Sequence, residues 1–148
     1  MAKSNKTLKK SNEYYVYAIE LKKTIWIKEA GFRKKNPHLT KEYNGKCYYV
    51  GQTSHQPECR YIQHVSKRRD MPGNKFNCGC FTENPIKREF SRKNRPGRFV
   101  KEYHMKGGLR PFIYARLNPV GETKEAAEIA EKSLAQQLRD QGLAVHSA

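Results

Sequence analysis

The stretches EYYVYAIEL, residues 13–21, and KCYYVGQ, residues 46–52, decide how this chain folds. Both are dense in tyrosine and β-branched residues, which fit a pleated, half-buried surface, so each predicts a strand. In the first, Tyr15, Tyr17 and Ile19 alternate onto one face. In the second, Gly51 reads as the end of the strand, where the backbone turns towards the next element. The two are expected to pair antiparallel. Tyrosines in strands ordinarily do no more than pack a sheet, and the YxY pattern alone implies nothing further.

Between these strands, residues 22–45 are of mixed polarity, with Ile25, Trp26 and Ile27 as the apolar cluster. The segment reads as a basic insertion or long hairpin excursion. After the second strand, Pro57 suits a first helical turn and Glu58 complements the helix dipole, predicting a helix over 57–68. Residues 71–85 carry prolines, glycines and asparagines and read as a loop. Helices are expected over 86–92 and 98–106, the latter ended by Gly107-Gly108, and a third strand over 110–117. Phe112, Tyr114 and Arg116 would share one face of that strand. Thr123 is an N-cap for a helix over 124–140 that stops at Gly142. The expected fold is α/β, an α+β sandwich in which helices flank a small three-stranded mixed or antiparallel sheet. It forms a single domain over 13–148, behind a flexible basic arm at 1–12.

The chain holds 30 Lys and Arg against 14 acids, a net charge of +16. Such an excess repels itself in a compact state and implies a polyanionic partner. The charge is also segregated. Residues 67–110 carry thirteen cations against four acids and residues 22–46 eight against two, whereas beyond Tyr114 the count is four against five. No apolar run approaches the roughly 20 residues that span a bilayer, and no basic amphipathic helix with aromatic anchors appears, so nucleic acid is favoured over membrane. The N-terminus lacks the apolar core of a secretory signal, and a cytoplasmic, nucleoid-associated protein is expected. Cys47, Cys59, Cys78 and Cys80 are then reduced thiols. Cys78-Gly79-Cys80, with Cys59, His55 and His64, spaces zinc ligands too irregularly to favour a metal site over free thiols.

The last helix carries an anomaly. Ala127, Ala130, Leu134 and Leu138 form its buried stripe, and Glu131 falls inside it with no Lys or Arg three or four residues away. A buried carboxylate costs several kcal/mol unless it meets a metal, a proton or a more distant partner. Glu131 could also edge the stripe and reach water. Glu128, by contrast, sits four residues from both Lys124 and Lys132, an ordinary solvated face. In the helix after the second strand, Arg60 and His64 lie one turn apart, suited to gripping a phosphate and handling protons.

Taken together, Tyr15-Val16-Tyr17, Tyr49-Val50-Gly51-Gln52-Thr53, Arg60-x-x-x-His64 and a late helix bearing Glu131 resemble the GIY-YIG nuclease superfamily, across nearly the whole chain. Tyr15 stands where the family has glycine. The resemblance implies a metal-dependent DNA endonuclease with Tyr17, Tyr49, Arg60, His64 and Glu131 as catalytic residues and Glu131 holding one Mg²⁺ or Mn²⁺. Tyr17 would help activate water, Tyr49 and His64 would position water or phosphate, and Arg60 would stabilise phosphate charge. Double-stranded DNA is the implied partner, bound by a monomer or homodimer. The cations expected on DNA are Lys34, Lys35, Lys67, Arg68, Arg69, Arg88, Arg92, Lys93, Arg95 and Arg98. Two features depart from the family. The 31 residues between Tyr17 and Tyr49 make residues 22–45 look inserted, expected to contact DNA and to be removable without loss of the fold. Where the family has a C-terminal Asn, this chain has His146 and Ser147. The competing readings are a catalytically inactive DNA- or RNA-binding module on the same fold and a basic ribosome-associated protein.

Overall fold

The computed structural model describes residues 13–58, 60–61 and 95–147, with backbone alone at 95–98. The two tyrosine-rich stretches form β1 (Tyr15–Leu21) and β2 (Cys47–Thr53). They pair antiparallel from Tyr15 opposite Thr53 to Leu21 opposite Cys47, as their composition predicts. β2 runs through Gly51, which is therefore an interior strand residue and not its end. β3 (His104–Leu109) pairs antiparallel with β1, and β4 (Ala144–Ser147) pairs parallel with β2. The fold is α+β with a four-stranded mixed sheet in the order β3-β1-β2-β4, one strand more than expected. β4 is four residues long, too short to show a period in sequence.

The third strand lies upstream of where the sequence places it. Residues 110–117 form α4 (Pro111–Tyr114) and a 3₁₀ turn (Ala115–Leu117), not a strand. Pro111 has no N–H for a ladder and a φ suited to a first helical turn. Phe112 and Tyr114 accordingly part company: Phe112 is 72% exposed and Tyr114 is buried. The expected helix over 98–106 is instead α3 (Arg95–Tyr103), after which the chain enters β3 directly. Gly107 and Gly108 are strand residues. Gly107 has φ +62°, and the register of β3 against β1 shifts between Ile19 and Leu21. A Cβ on Gly108 would lie 2.8 Å from the backbone oxygens of Glu20 and Met105, so only glycine permits this approach.

Residues 22–45 are a structural part of the domain, which corrects the idea of a removable excursion. They form α1 (Thr24–Lys28) and α2 (Ala30–Lys34), whose Ile25, Trp26 and Phe32 are buried in the hydrophobic core with β1 and β2. Burying each such side chain stabilises the fold by roughly 1.5–3 kcal/mol, so deletion removes part of the core. Ile27, from the same apolar cluster, is exposed.

Side-chain amides close both outer margins of the central pairings. On β1, beyond the reach of β3, Asn118 accepts from Val16 N at 2.8 Å and donates to Val16 O at 2.8 Å. On β4, the Oδ1 of buried Asn36 accepts from Val145 N at 2.8 Å while Arg139 donates to Val145 O at 2.9 Å. Exposed strand edges invite pairing with other chains, and these contacts satisfy the groups that would do so.

α5 (Lys124–Asp140) has the predicted bounds. The Thr123 side chain accepts from Ala126 N, and Gly142 takes the left-handed φ of +83° just past the end. Ala127, Glu131, Leu134, Ala135 and Leu138 are its buried residues. The helices expected over 86–92 and over most of 57–68, and the loop over 71–85, fall mainly or wholly outside the described residues. Residues 57–58 and 60–61 are helical. Among the described residues, no helix is long and apolar enough to cross a membrane.

Candidate active site

The strand register creates the first half of the site. Tyr17 faces Gly51 directly and Tyr49 diagonally, so both rings lie on one face of the β1–β2 pair. Their centroids are 6.1 Å apart with the planes inclined at 41°. Gly51 makes room for this arrangement: a Cβ there would fall 2.6 Å from Cζ of Tyr17. The glycine thus seats the Tyr17 phenol across the neighbouring strand, a role that its expected place at a strand end did not reveal.

Arg60 enters from the helical turn after β2, where its N–H bonds the Gln56 carbonyl at 3.1 Å. Its guanidinium hydrogen bonds to the Tyr17 hydroxyl. Tyr49 adds a second side-chain hydrogen bond to Tyr17. Glu131 arrives from α5 and is 3% exposed, which resolves its ambiguous place on the stripe in favour of burial. Its charge acts on both phenols. One of its oxygens, Oε2, is buried and accepts no hydrogen bond. Four of the five expected catalytic residues, Tyr17, Tyr49, Arg60 and Glu131, therefore converge from four segments; the fifth, His64, lies outside the described residues.

Electrostatics sort the two phenols. Burial raises the pKa of Tyr17, and the nearby Arg60 partly offsets that rise. Burial raises that of Tyr49 further, and the neighbouring Tyr17 adds to the shift. The Tyr17–Tyr49 hydrogen bond favours the anion of Tyr17 and disfavours that of Tyr49. Both are neutral near pH 7, and Tyr17 is the more readily ionised.

Of the cations expected on DNA, Lys34 and Lys35 are exposed at the C-terminal end of α2. Arg95 and Arg98 belong to α3. Lys67, Arg68, Arg69, Arg88, Arg92 and Lys93 fall outside the described residues, as do Cys59, Cys78 and Cys80. Cys47 is a buried free thiol whose pKa burial pushes up to about 12. No cluster of three or more His, Cys, Asp or Glu that could hold a metal occurs among the described residues. The buried Glu131 carboxylate, whose charge acts on both phenols, is nonetheless a hard oxygen donor, and Mg²⁺ needs only one or two carboxylates besides substrate phosphate.

Sequence reasoning did not place His146 in the site, except as a stand-in for a C-terminal Asn. It pairs with Tyr49 across β2 and β4, and its ring stacks on the Tyr49 ring at 5.9 Å. The short β4 carried no signal for this. Comparison with protein families, with curated proteins and with solved structures gives no match for the chain.

Proposed function

We propose that this chain is a divalent-metal-dependent endonuclease that hydrolyses phosphodiester bonds in DNA, with Tyr17, Tyr49, Arg60 and Glu131 as its catalytic residues. The observation that carries this reading is the meeting of two phenols, a guanidinium and a buried carboxylate brought together from separate segments of a chain of net charge +16. A guanidinium has five N–H donors, enough to hold the Tyr17 oxygen and a phosphate oxygen together. Arg60 would then neutralise charge as it develops on the phosphate. Glu131 would hold Mg²⁺ or Mn²⁺, which supplies neutralisation of the phosphate and the leaving oxygen.

Tyr17 starts as a neutral phenol and therefore orients the attacking water through its hydroxyl. The hydrogen bonds from Arg60 and Tyr49 favour its anion, so a base role for Tyr17 depends on both contacts. His64 joins the same proposal as a residue that positions water or phosphate. DNA would approach over the cationic segments, Lys34 and Lys35 among them.

A second reading has its own support. Tyr17, Tyr49 and Glu131 are nearly fully buried, as they would be in a DNA- or RNA-binding module without activity. Incubation of the purified protein with supercoiled plasmid and Mg²⁺, beside Glu131→Ala, separates the two. The nuclease reading expects nicking or linearisation by the parent protein and none by the variant, with DNA binding retained by both. Retained binding with no cleavage by either protein selects the binding module. Equal cleavage by both rejects the assigned mechanism.

A further inference from the structure

His146 stands directly opposite Tyr49 in the parallel β2–β4 pair. Its ring stacks on that of Tyr49 with centroids 5.9 Å apart and planes inclined by 22°. Phe99 meets the same imidazole edge-on at 5.0 Å, and Phe32 lies near-parallel to it at 6.5 Å. Phe32 and Phe99 also pack edge to face on one another at 6.3 Å. On its far side Tyr49 meets Tyr17. A continuous row of rings thus runs from Tyr17 through Tyr49 and His146 to two core phenylalanines.

Strand backbone fixes the Cβ of Tyr49, but the hydroxyl lies at the end of two rotatable torsions. A flat neighbour held on its other sides restricts those torsions. The imidazole is well suited to act as such a plane. Its Nδ1 is buried and makes no hydrogen bond, so at that atom the ring contributes a surface, not a polar contact. Burial, together with Lys35 at the C-cap of α2 and Arg139 from α5, keeps it neutral.

We propose that His146 is a positioning residue for the tyrosine pair: wedged by Phe32 and Phe99, its ring fixes the Tyr49 ring and, through it, the hydrogen bond to Tyr17. The inference rests on the nuclease reading for its consequence, because only then does the tyrosine geometry set a rate. It also assigns a task to residues 22–45, which supply Phe32.

The test compares His146→Leu, which fills the space without a ring, with His146→Phe, which restores the ring. Each full-length variant is made with ¹³C-labelled tyrosine. Without DNA, His146→Leu should shift the ring resonances of both Tyr49 and Tyr17, and His146→Phe should return them towards the parent positions. With supercoiled plasmid and Mg²⁺, His146→Leu should lower kcat by about ten- to a hundredfold with KM little changed, the loss expected of a small misplacement. His146→Phe should recover most of that loss. Unmoved Tyr17 resonances in folded His146→Leu overturn the proposal, as does a His146→Phe variant as slow as His146→Leu. A parent protein that does not cleave defeats the nuclease reading, and the tyrosine resonances then decide the positioning role alone.

Discussion

Tyr48 and Tyr49 are neighbours in β2, and their side chains point to opposite faces of the sheet, each towards an arginine and a glutamate. On the Tyr48 face the partners are Glu20, directly across in β1, and Arg110. Arg110 Nε binds Glu20 Oε1 at 2.8 Å, and Nη1 donates to the carbonyls of Gly107 at 2.6 Å and Leu109 at 3.3 Å. This guanidinium is committed to tying the irregular strand β3 to β1. On the Tyr49 face the guanidinium of Arg60 goes to a phenol, and the carboxylate arrives from a helix more than a hundred residues downstream of Tyr17. The same three residue types thus make a brace on one face and a candidate site on the other. The hydrogen-bond destination of the arginine separates the two roles: backbone and carboxylate in the brace, a titratable hydroxyl in the site.

The sharpest way to break this contrast is Glu131→Gln against Arg110→Ala. Glu131→Gln should cut plasmid cleavage by at least about a hundredfold, the scale of a lost electrostatic contributor, with melting temperature unchanged or raised. A variant that loses stability but keeps its rate would move Glu131 into the scaffold. Arg110→Ala should do the opposite. Removing one partner of a buried pair costs about 3–5 kcal/mol. Because the Arg110 side chain is 24% exposed, about 2–3 kcal/mol is expected in urea unfolding, after discounting for solvent screening. Cleavage per folded molecule should be unaffected.

Acid sharpens the site face specifically. Burial, Lys35 and Arg139 lower the pKa of His146 from the ordinary 6.5 to about 4. Below pH 6.5 the unfolded chain therefore takes up a proton that the folded chain refuses until about pH 4. Stability falls as pH drops through that window and gains nothing from this group above it. Between pH 7 and pH 4.5 the loss should be about 2 kcal/mol after allowance for partial exposure. Urea midpoints of parent and His146→Phe, compared at both values, measure it: the variant should lose less, and equal losses would remove His146 as the source.

Gly51→Ala has the smallest expected cost. The added Cβ displaces the end of the Tyr17 side chain, at about 1–2 kcal/mol of overpacking. The Tyr17 ring resonances should move while those of Tyr48, on the brace face, stay fixed. Movement of both would show that the two faces are not independent.

Much of this arrangement is legible in residue order because it is local. The strand pair follows from tyrosine and β-branched density. α5 follows from Thr123, the stripe and Gly142, and the abnormality of Glu131 follows from its place among alanines and leucines. Local reading failed where distant neighbours override it. RPFIYARL has strand composition, yet Pro111 cannot serve a ladder and the space beside β1 is already taken by β3. Gly107-Gly108 looks like a helix stop, although a close approach to the Glu20 carbonyl demands it within a strand. Residues 22–45 look dispensable because their apolar residues are sparse, but Ile25, Trp26 and Phe32 all turn inward.

The amino-acid order by itself determined which residues carry unusual chemistry: a segregated charge surplus, an acid inside an apolar stripe, and an arginine shortly after a tyrosine strand. Only the tertiary structure decided that Arg60 reaches Tyr17, that Glu131 is buried close enough for its charge to act on the phenols, and that His146 stacks on Tyr49. Residue types and helical spacing are properties of a few neighbouring positions. A side chain's partner across a sheet depends on register, strand order and the packing of every helix against it, which no short stretch encodes.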